Sequence, residues 1–381
     1  MELGLYFDNT SVLDAVGKSP KLTFGKSVEI VVGEDIPIDV DLVIMGVPED
    51  RNSTVRGSAS SPDKVREELY RLSAVNGLKV VDLGNFRVGN KIEDSYVALS
   101  EIVNYLYAYE MPIVMLGGSQ DLILAVLDGI NKAKKQVKFV NVDSKLDVCD
   151  GKISKINTDN FLSKAYKEKE ISISNIAYQK QFCISKKDYT KNRADNVSLG
   201  GLRDDFMQDA EPIVREADVV GIDIGVLKAA DFPAVEKPNA NGLTSEELCK
   251  LMVFAGVSYN VMCVGLFNYI PKYDTRNISA FALAQAVWYF CDSFLYRVSE
   301  HPMYKDDLFK KYIVAIKDVD VIATFYQSEI TGRFWVDICS DDQSVSPDDC
   351  RFVPCTDFDF EEANEGKMSS RLFQLLMGDS E

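Results

Sequence analysis

The chain has 381 residues, 46% of them hydrophobic, and a formal net charge of −17. That length and apolar share allow a large α/β core with an appendage. The acidic balance argues against unaided binding to nucleic acid or an anionic membrane, both of which use basic surface.

No apolar run reaches transmembrane length, so no membrane insertion is expected. The opening MELGLYFDN lacks a basic region followed by an apolar core, and the chain reads as cytoplasmic. Its eight cysteines are scattered without a CxxC pair, and Cys350 and Cys355 are the closest two. Reduced, mostly buried thiols are the expectation.

In chain order, Asp41–Gly46 predicts the first central strand, followed by Val47-Pro48-Glu49-Asp50 and a polar loop. Ser61-Pro62-Asp63 predicts a helix start, with a cap, a proline in the first turn and an acid behind it. Leu78–Leu83 predicts a strand, and Leu99, Ile102, Val103 and Leu106 share one face of the next helix. Pro112–Leu116 reads as a buried strand broken by Gly117-Gly118, with Ser119 as a helix cap. Leu122, Ile123, Val126 and Leu127 line that helix, and Val137–Val142 is the strand after it. This is a βαβ pattern of a parallel sheet, whose chemistry collects at the carboxyl ends of the strands.

Residues 149–200 are polar, with a helix expected at 158–168 and a strand at Ile171–Ile176. Asp204–Ala217 predicts one helix and Asp218–Ile224 a strand ending on Asp223. Thr244 and Glu247 form a capping box for a further helix. Tyr259–Phe267 is another strand, and Ile278–Phe294 reads as a helix buried on nearly every side. Beyond residue 300, Tyr312–Ile316, Val321–Tyr326 and Phe334–Ile338 predict a small antiparallel sheet with Gly332 in one turn. Asp357, Asp359, Glu361 and Glu362 read as a solvated acidic face. Ser369–Met377, with Leu372, Phe373, Leu375 and Leu376, reads as a helix that docks on the core or on a partner.

The turns after these strands resemble the metal motifs of the ureohydrolases, the family of arginase, agmatinase and formimidoylglutamase. Gly117-Gly118-Ser119-Gln120 resembles G-G-[SD]-H with Gln120 in the histidine position. Asp143-Ser144-Lys145-Leu146-Asp147 resembles D-A-H-x-D with Lys145 in the histidine position. Asp223-Ile224-Gly225 resembles D-x-D with Gly225 replacing the second aspartate. Asn241-Gly242-Leu243-Thr244 is similar to G-G-L-T. Asn268-Tyr269-Ile270-Pro271-Lys272-Tyr273-Asp274 is similar to E-x-N-P-x-x-D, with Asn268 in the glutamate position. The tail stretch Thr324–Trp335 with Val353-Pro354-Cys355 resembles a Bacteroidetes group of formimidoylglutamase-like proteins, which also shows G-G-S-Q-D. The likeness spans roughly residues 40–295.

The resemblance implies a three-layer α/β/α fold with a mainly parallel, arginase-like sheet, here residues 1–299, and a small C-terminal β/α appendage, 300–381. In the family, two Mn²⁺ ions share carboxylates and hold a bridging hydroxide. This chain has one histidine, His301, outside every motif, and it is expected to be structural. A His-containing binuclear centre is therefore not expected. One ion, Mn or Mg, would have Gln120, Asp143, Asp147 and Asp223 as oxygen ligands. The competing reading puts the Lys145 ammonium among the three carboxylates, so that no cofactor is needed; a rearranged, solvent-filled pocket is the third. Gly117-Gly118 matches no dinucleotide or P-loop pattern.

The leading expectation is a catalytically degenerate ureohydrolase-fold protein, a pseudoenzyme that binds a small guanidino- or amidine-like ligand or scaffolds a protein partner, with a homo-oligomer conceivable. The alternative is a formimidoylglutamase- or arginase-type hydrolase of linear amidine C–N bonds with a single or atypical metal site.

Overall fold

The computed structural model describes residues 2–16, 20–31, 36–37, 39–183, 196–204, 207–337 and 352–377. Its centre is a sheet built from β1 (Phe7–Asp8), β2 (Glu29–Ile30), β3 (Leu42–Gly46), β4 (Val80–Phe86), β5 (Ile113–Leu116), β6 (Val137–Val142), β7 (Ile171–Tyr178), β8 (Val197–Ser198), β9 (Val219–Asp223) and β10 (Cys263–Phe267). The strand order is β1-β4-β3-β5-β10-β9-β6-β7-β8, with β2 beside β4. Only β1 runs antiparallel to its neighbour among the described pairings.

Alternation along the strands divides the core into two layers. Ile44, Val114, Leu116, Val140 and Val142 face one side, where helices Ser61–Leu69, Ser245–Val257 and Ile278–Phe294 pack. Val43, Met45, Ile113, Met115 and Phe139 face the other, under helices Ile92–Ala108 and Ile123–Asn131. The chain therefore has the expected α/β/α layering.

Several sequence expectations shift. β5 and β6 are joined by a helix as expected, yet they are not neighbours: β10 and β9 lie between them. Ser119 makes no side-chain cap; a 3₁₀ turn, Gln120–Leu122, precedes the helix instead. The expected helix over 204–217 is observed as a shorter one, Ala210–Arg215, and a separate helix, Leu199–Asp204, ends where it was expected to begin. Helix Ile278–Phe294 is not buried all round, because Ile278, Phe281 and Tyr289 are half exposed along its outer side. Its inward side alone already carries enough apolar groups to seat it.

The tail forms a second, antiparallel sheet from β11 (Phe309–Ile316), β12 (Val321–Ser328), β13 (Phe334–Asp337) and β14 (Phe352–Cys355). Helix Asp357–Asn364 covers one face through Phe360, which stacks on Phe334. On the other face Phe309, Tyr326, Trp335 and Phe352 cluster, and the rings of His301, Trp335 and Phe352 meet edge to face. His301 is thus a packing residue here.

Arg215 ties this sheet to the core. Its Nη1 donates to Phe334 O at 2.9 Å, and its guanidinium lies 4.5 Å from the Trp335 ring. Arg333 reaches back to Glu211 at 3.2 Å. The acidic run is not a uniform solvated face: Asp359 is buried, accepts from Ser369 Oγ and caps its own helix with Thr356. Leu372 is buried and Phe373 half exposed. Ile338, Cys350 and the side chains of Leu375 and Leu376 lie outside the described residues.

One charged pair is wholly inside the core. Arg66 and Asp82 make two N–H···O bonds of 2.8 Å, and both side chains are fully buried. Tyr70 also donates to Asp82 (2.5 Å), while Arg66 donates to Asn85 (2.6 Å) and Gly84 O (2.9 Å). Removing one partner strands the other charge in a medium that cannot solvate it. Arg66→Met should lower unfolding stability by roughly 3–5 kcal/mol, measured by urea denaturation. A loss within that of an ordinary surface substitution would show that the pair contributes nothing.

Candidate functional site

Four neighbouring strands, β5, β10, β9 and β6, deliver the candidate residues from their carboxyl ends. Gln120 follows β5, Asn268 follows β10, Asp223 closes β9, and Asp143 to Asp147 follow β6. The register aligns Phe267 with Asp223 and Val142 with Ile222, so the three turns emerge at one level.

The backbone there is specialised. Gly117 and Gly118 have φ of +82° and +78°. A Cβ on Gly117 would stand 2.2 Å from Ser61 Oγ, and one on Gly118 would stand 2.8 Å from Val47 O. Glycine is required by conformation and by space at both positions. Asn268 is also left-handed, at φ +67°, a region asparagine tolerates better than most residues.

Asp143, Asp147 and Asp223 each place a carboxylate oxygen within 4.8 Å of the others, and all three are buried. Asp223 accepts from Gly225 N at 2.6 Å and Asn268 Nδ2 at 2.7 Å. Asp143 accepts from Lys145 N at 3.2 Å. Among the described residues, Asp143 Oδ2, Asp147 Oδ2 and Gln120 Oε1 are buried and have no hydrogen-bond donor.

Lys145 does not sit evenly among the three carboxylates. Its Nζ is 2.9 Å from Asp147 Oδ1 and 2.8 Å from Asp159 Oδ1, and its side chain is 38% exposed. It bridges the buried cluster to a rim acid that the sequence reading did not single out. Asp159 is held in turn by Thr54 Oγ1 at 2.7 Å.

A cavity of about 400 Å³ opens over this cluster, lined by Asp143, Lys145, Gly225, Asp223, Asn268 and Asp159, and also by Ser53, Ser58 and Lys237. Gln120 and Asp147 are fully buried residues outside that lining. Gln120 N donates to Asn268 Oδ1 at 3.3 Å, and Gln120 Nε2 donates to Asn141 Oδ1 at 3.0 Å. Asn141 passes a bond to Asn175 Oδ1, and Asn175 donates to Tyr166 and Asn196. This buried amide chain also escaped the sequence reading. Its signal was an asparagine inside each of two apolar strands, Val137–Val142 and Ile171–Tyr178.

Burial sets the electrostatics, because a charge in the interior loses its hydration. It pushes the Asp143 carboxyl well above the carboxylate range, with Asp147 and Asp223 pushing the same way. Asp147 is pushed up to about 7 by burial, against the pull of Lys145. Asp223 is raised by burial despite its hydrogen bonds and Lys145. For Lys145, burial works against the charge, yet Asp147, Asp143 and Asp223 outweigh it and hold the ammonium protonated.

The donor set matches a single cation. Three carboxylates and one amide oxygen suit a hard divalent ion, and the unpaired oxygens await a positive or hydrogen-bonding partner. A two-ion centre fits poorly, since Gly225 supplies no ligand and Lys145 supplies a positive charge. A Cβ at position 225 would also come within 3.0 Å of Asp223 Oδ1.

Two predictions follow from this balance. An acid whose folded-state value is raised favours the fold below its unfolded value and loses that contribution as pH climbs through the raised one. In chelator, the melting temperature should therefore fall as pH rises from about 4 through about 7, where Asp147 ionises, and Asp147→Asn should flatten that fall. Lys145→Ala should cost about 1–3 kcal/mol in chemical denaturation, between an exposed pair and a fully buried one. An unchanged midpoint would place the ammonium's role in ligand binding alone.

With this geometry in place, the chain's likeness to known proteins is informative. The arginase family model matches residues 40–291. A formimidoylglutamase from Photorhabdus laumondii is 25% identical over 253 residues, 62% of this chain and 80% of that protein. An agmatinase from Blochmanniella floridana is 24% identical over 64% of this chain and 85% of its own length. Among solved structures, a Trypanosoma cruzi formiminoglutamase with Mn²⁺ superposes with a TM-score of 0.62 at 23% identity, covering 68% of this chain and 95% of that one. A Bacillus subtilis formimidoylglutamase gives 0.64 at 16% identity, covering 72% and 92%. The matched span runs from the first central strand to the helix after β10 and contains every candidate residue above, so the chain belongs to the arginase family.

Proposed function

We propose that this arginase-family protein binds a small cationic ligand of the guanidinium or amidinium type at the Asp143–Asp223 cavity, without a binuclear manganese centre and without turnover. The observation that carries this reading is the ion pair between Lys145 Nζ and Asp147 Oδ1 at 2.9 Å. It sets a positive charge of the chain itself against one of the three carboxylates, from the sequence position where the motif resemblance calls for a metal-binding histidine. The other two carboxylates line the cavity, and Asp143 Oδ2 has no donor. A planar cation with several N–H groups would satisfy them in the bidentate manner that carboxylates favour. Asp159 and Lys237 at the mouth offer one charge of each sign for the rest of the ligand.

A second reading is favoured by the three converging carboxylates. A single Mn²⁺ or Mg²⁺ would be held by Asp143, Asp147 and Asp223 with Gln120, and when bound it would supply Lewis acidity toward a water or an amidine nitrogen. Lys145 would then swing to Asp159 alone, and the site would be an atypical C–N hydrolase centre.

Three measurements on one preparation separate the readings. Protein purified with added Mn²⁺ is analysed for metal by plasma emission, then assayed for urea and formamide release from agmatine, arginine and formimidoylglutamate. Well under one ion per chain, no release, and a guanidine-dependent rise in melting temperature are expected, since a ligand of the native state raises the midpoint. Two tightly held ions per chain with turnover would overturn the proposal. One ion with turnover would establish the second reading. A further check is Lys145→His combined with Gln120→His and Gly225→Asp, which should make the melting temperature respond to Mn²⁺.

A further inference from the structure

A second cavity, of about 770 Å³, lies on the other side of the 52–58 loop, bounded by helices Ile92–Ala108 and Ile123–Asn131 and by residues 153–156. Nothing in the proposed chemistry uses it. Its floor is apolar, with Leu124, Ala125, Leu127 and Ile156 among the lining residues. Its polar groups are unusual because two of them are unsatisfied. Asn52 is 6% exposed and lines the cavity, and among the described residues its Oδ1 has no hydrogen-bond donor. Asn131, also in the lining, has a buried Oδ1 in the same condition.

The orientation of Asn52 is set from behind. Its Nδ2 donates to Asp121 Oδ2 at 3.2 Å and to Tyr96 OH at 3.3 Å, and Tyr96 itself donates to Asp121. The amide cannot turn over without setting its oxygen against a carboxylate. Leaving a buried acceptor unpaired is costly, so two such acceptors in one cavity call for a partner that donates.

The charged groups divide by sign. Lys155, Lys164 and Lys167 line the rim, and among the described residues none has a carboxylate within ion-pair distance. Glu93, Glu168 and Asp128 line it too, but Asp128 is already engaged by Ser100 Oγ at 2.6 Å and by Lys132 at 3.3 Å. A ligand of one sign would be repelled by half of this rim. A ligand that carries an ammonium, a carboxylate and an apolar body would answer all of it. The ammonium has donors for Asn52 Oδ1 and a glutamate, the carboxylate has the lysines, and the body has the apolar floor.

We infer that this cavity is a binding site for a free apolar α-amino acid, separate from the carboxylate cluster.

The test is isothermal titration of the full chain with L-phenylalanine and L-leucine, beside N-acetyl-L-phenylalanine, which lacks the ammonium, and L-phenylalaninamide, which lacks the carboxylate. Saturable binding of the free amino acids, with both blocked forms weaker by about tenfold or more, is expected from the loss of charge-assisted hydrogen bonds. The lysines are exposed, so Lys155→Gln with Lys164→Gln and Lys167→Gln should fold normally and weaken binding by a similar factor. Val97→Trp, at a position 62% exposed on the rim, should block entry without disturbing the core. No heat from any free amino acid, or binding indifferent to both variants, would overturn the assignment. Binding lost instead in Asp143→Asn with Asp223→Asn, and kept in the lysine variant, would move the ligand to the first cavity and overturn it equally.

Discussion

Three carboxylates that repel one another in a dry place are the constraint around which the rest of the site is arranged. Asp143, Asp147 and Asp223 cannot all be ionised within 4.8 Å unless something positive or hydrogen-bonding faces them. The chain supplies part of this compensation itself. Gly225 N, Asn268 Nδ2 and Lys145 N donate to the cluster, and the Lys145 ammonium faces Asp147. Burial supplies another part by holding protons on the acids. What remains among the described residues is three unpaired oxygens, of which Asp143 Oδ2 belongs to a residue of the cavity lining while Asp147 and Gln120 lie behind it.

A site under such electrostatic load needs a frame that does not yield. The sheet provides it: β5, β10 and β9 are fully buried strands and β6 is buried but for Lys138, with apolar layers on both faces. The Arg66–Asp82–Tyr70 cluster adds a directional anchor between the Ser61–Leu69 helix and β4. The same Ser61–Pro62 turn packs closely enough on Gly117 to exclude a side chain there. Fold and site are thus joined at the glycine pair, where close backbone approach lets the turn after β5 reach the cluster.

Lys145 also shows why a motif position does not carry a function by itself. A lysine and a histidine in the same turn place their nitrogens at different distances from the backbone. The longer side chain reaches past the cluster to Asp159 and leaves the ammonium partly in water. Its grip on Asp147 is therefore softened by solvent, unlike the sealed Arg66–Asp82 pair.

Much of this protein was legible in its residues. The apolar runs predicted the central strands, the capping box at Thr244 placed a helix start, and the βαβ pattern, with the resemblance of the turns carrying Asp143, Asp147 and Asp223 to ureohydrolase motifs, marked carboxyl-end turns as the place of chemistry. These features are local: periodicity, capping and turn composition act within a few residues and are written in the chain. The misreadings have a common cause. That β10 and β9 separate β5 from β6, that Lys145 chooses Asp159, that Asp359 is buried while its neighbours are not, and that Asn141 and Asn175 share a buried bond are all decided by residues distant in sequence. Pairing and burial depend on which surfaces meet after collapse, and alternation along a strand states which face a side chain takes but not what lies opposite it. The sequence by itself determined the layers and the acids; the tertiary structure decided their neighbours, because partner choice is a property of the packed whole.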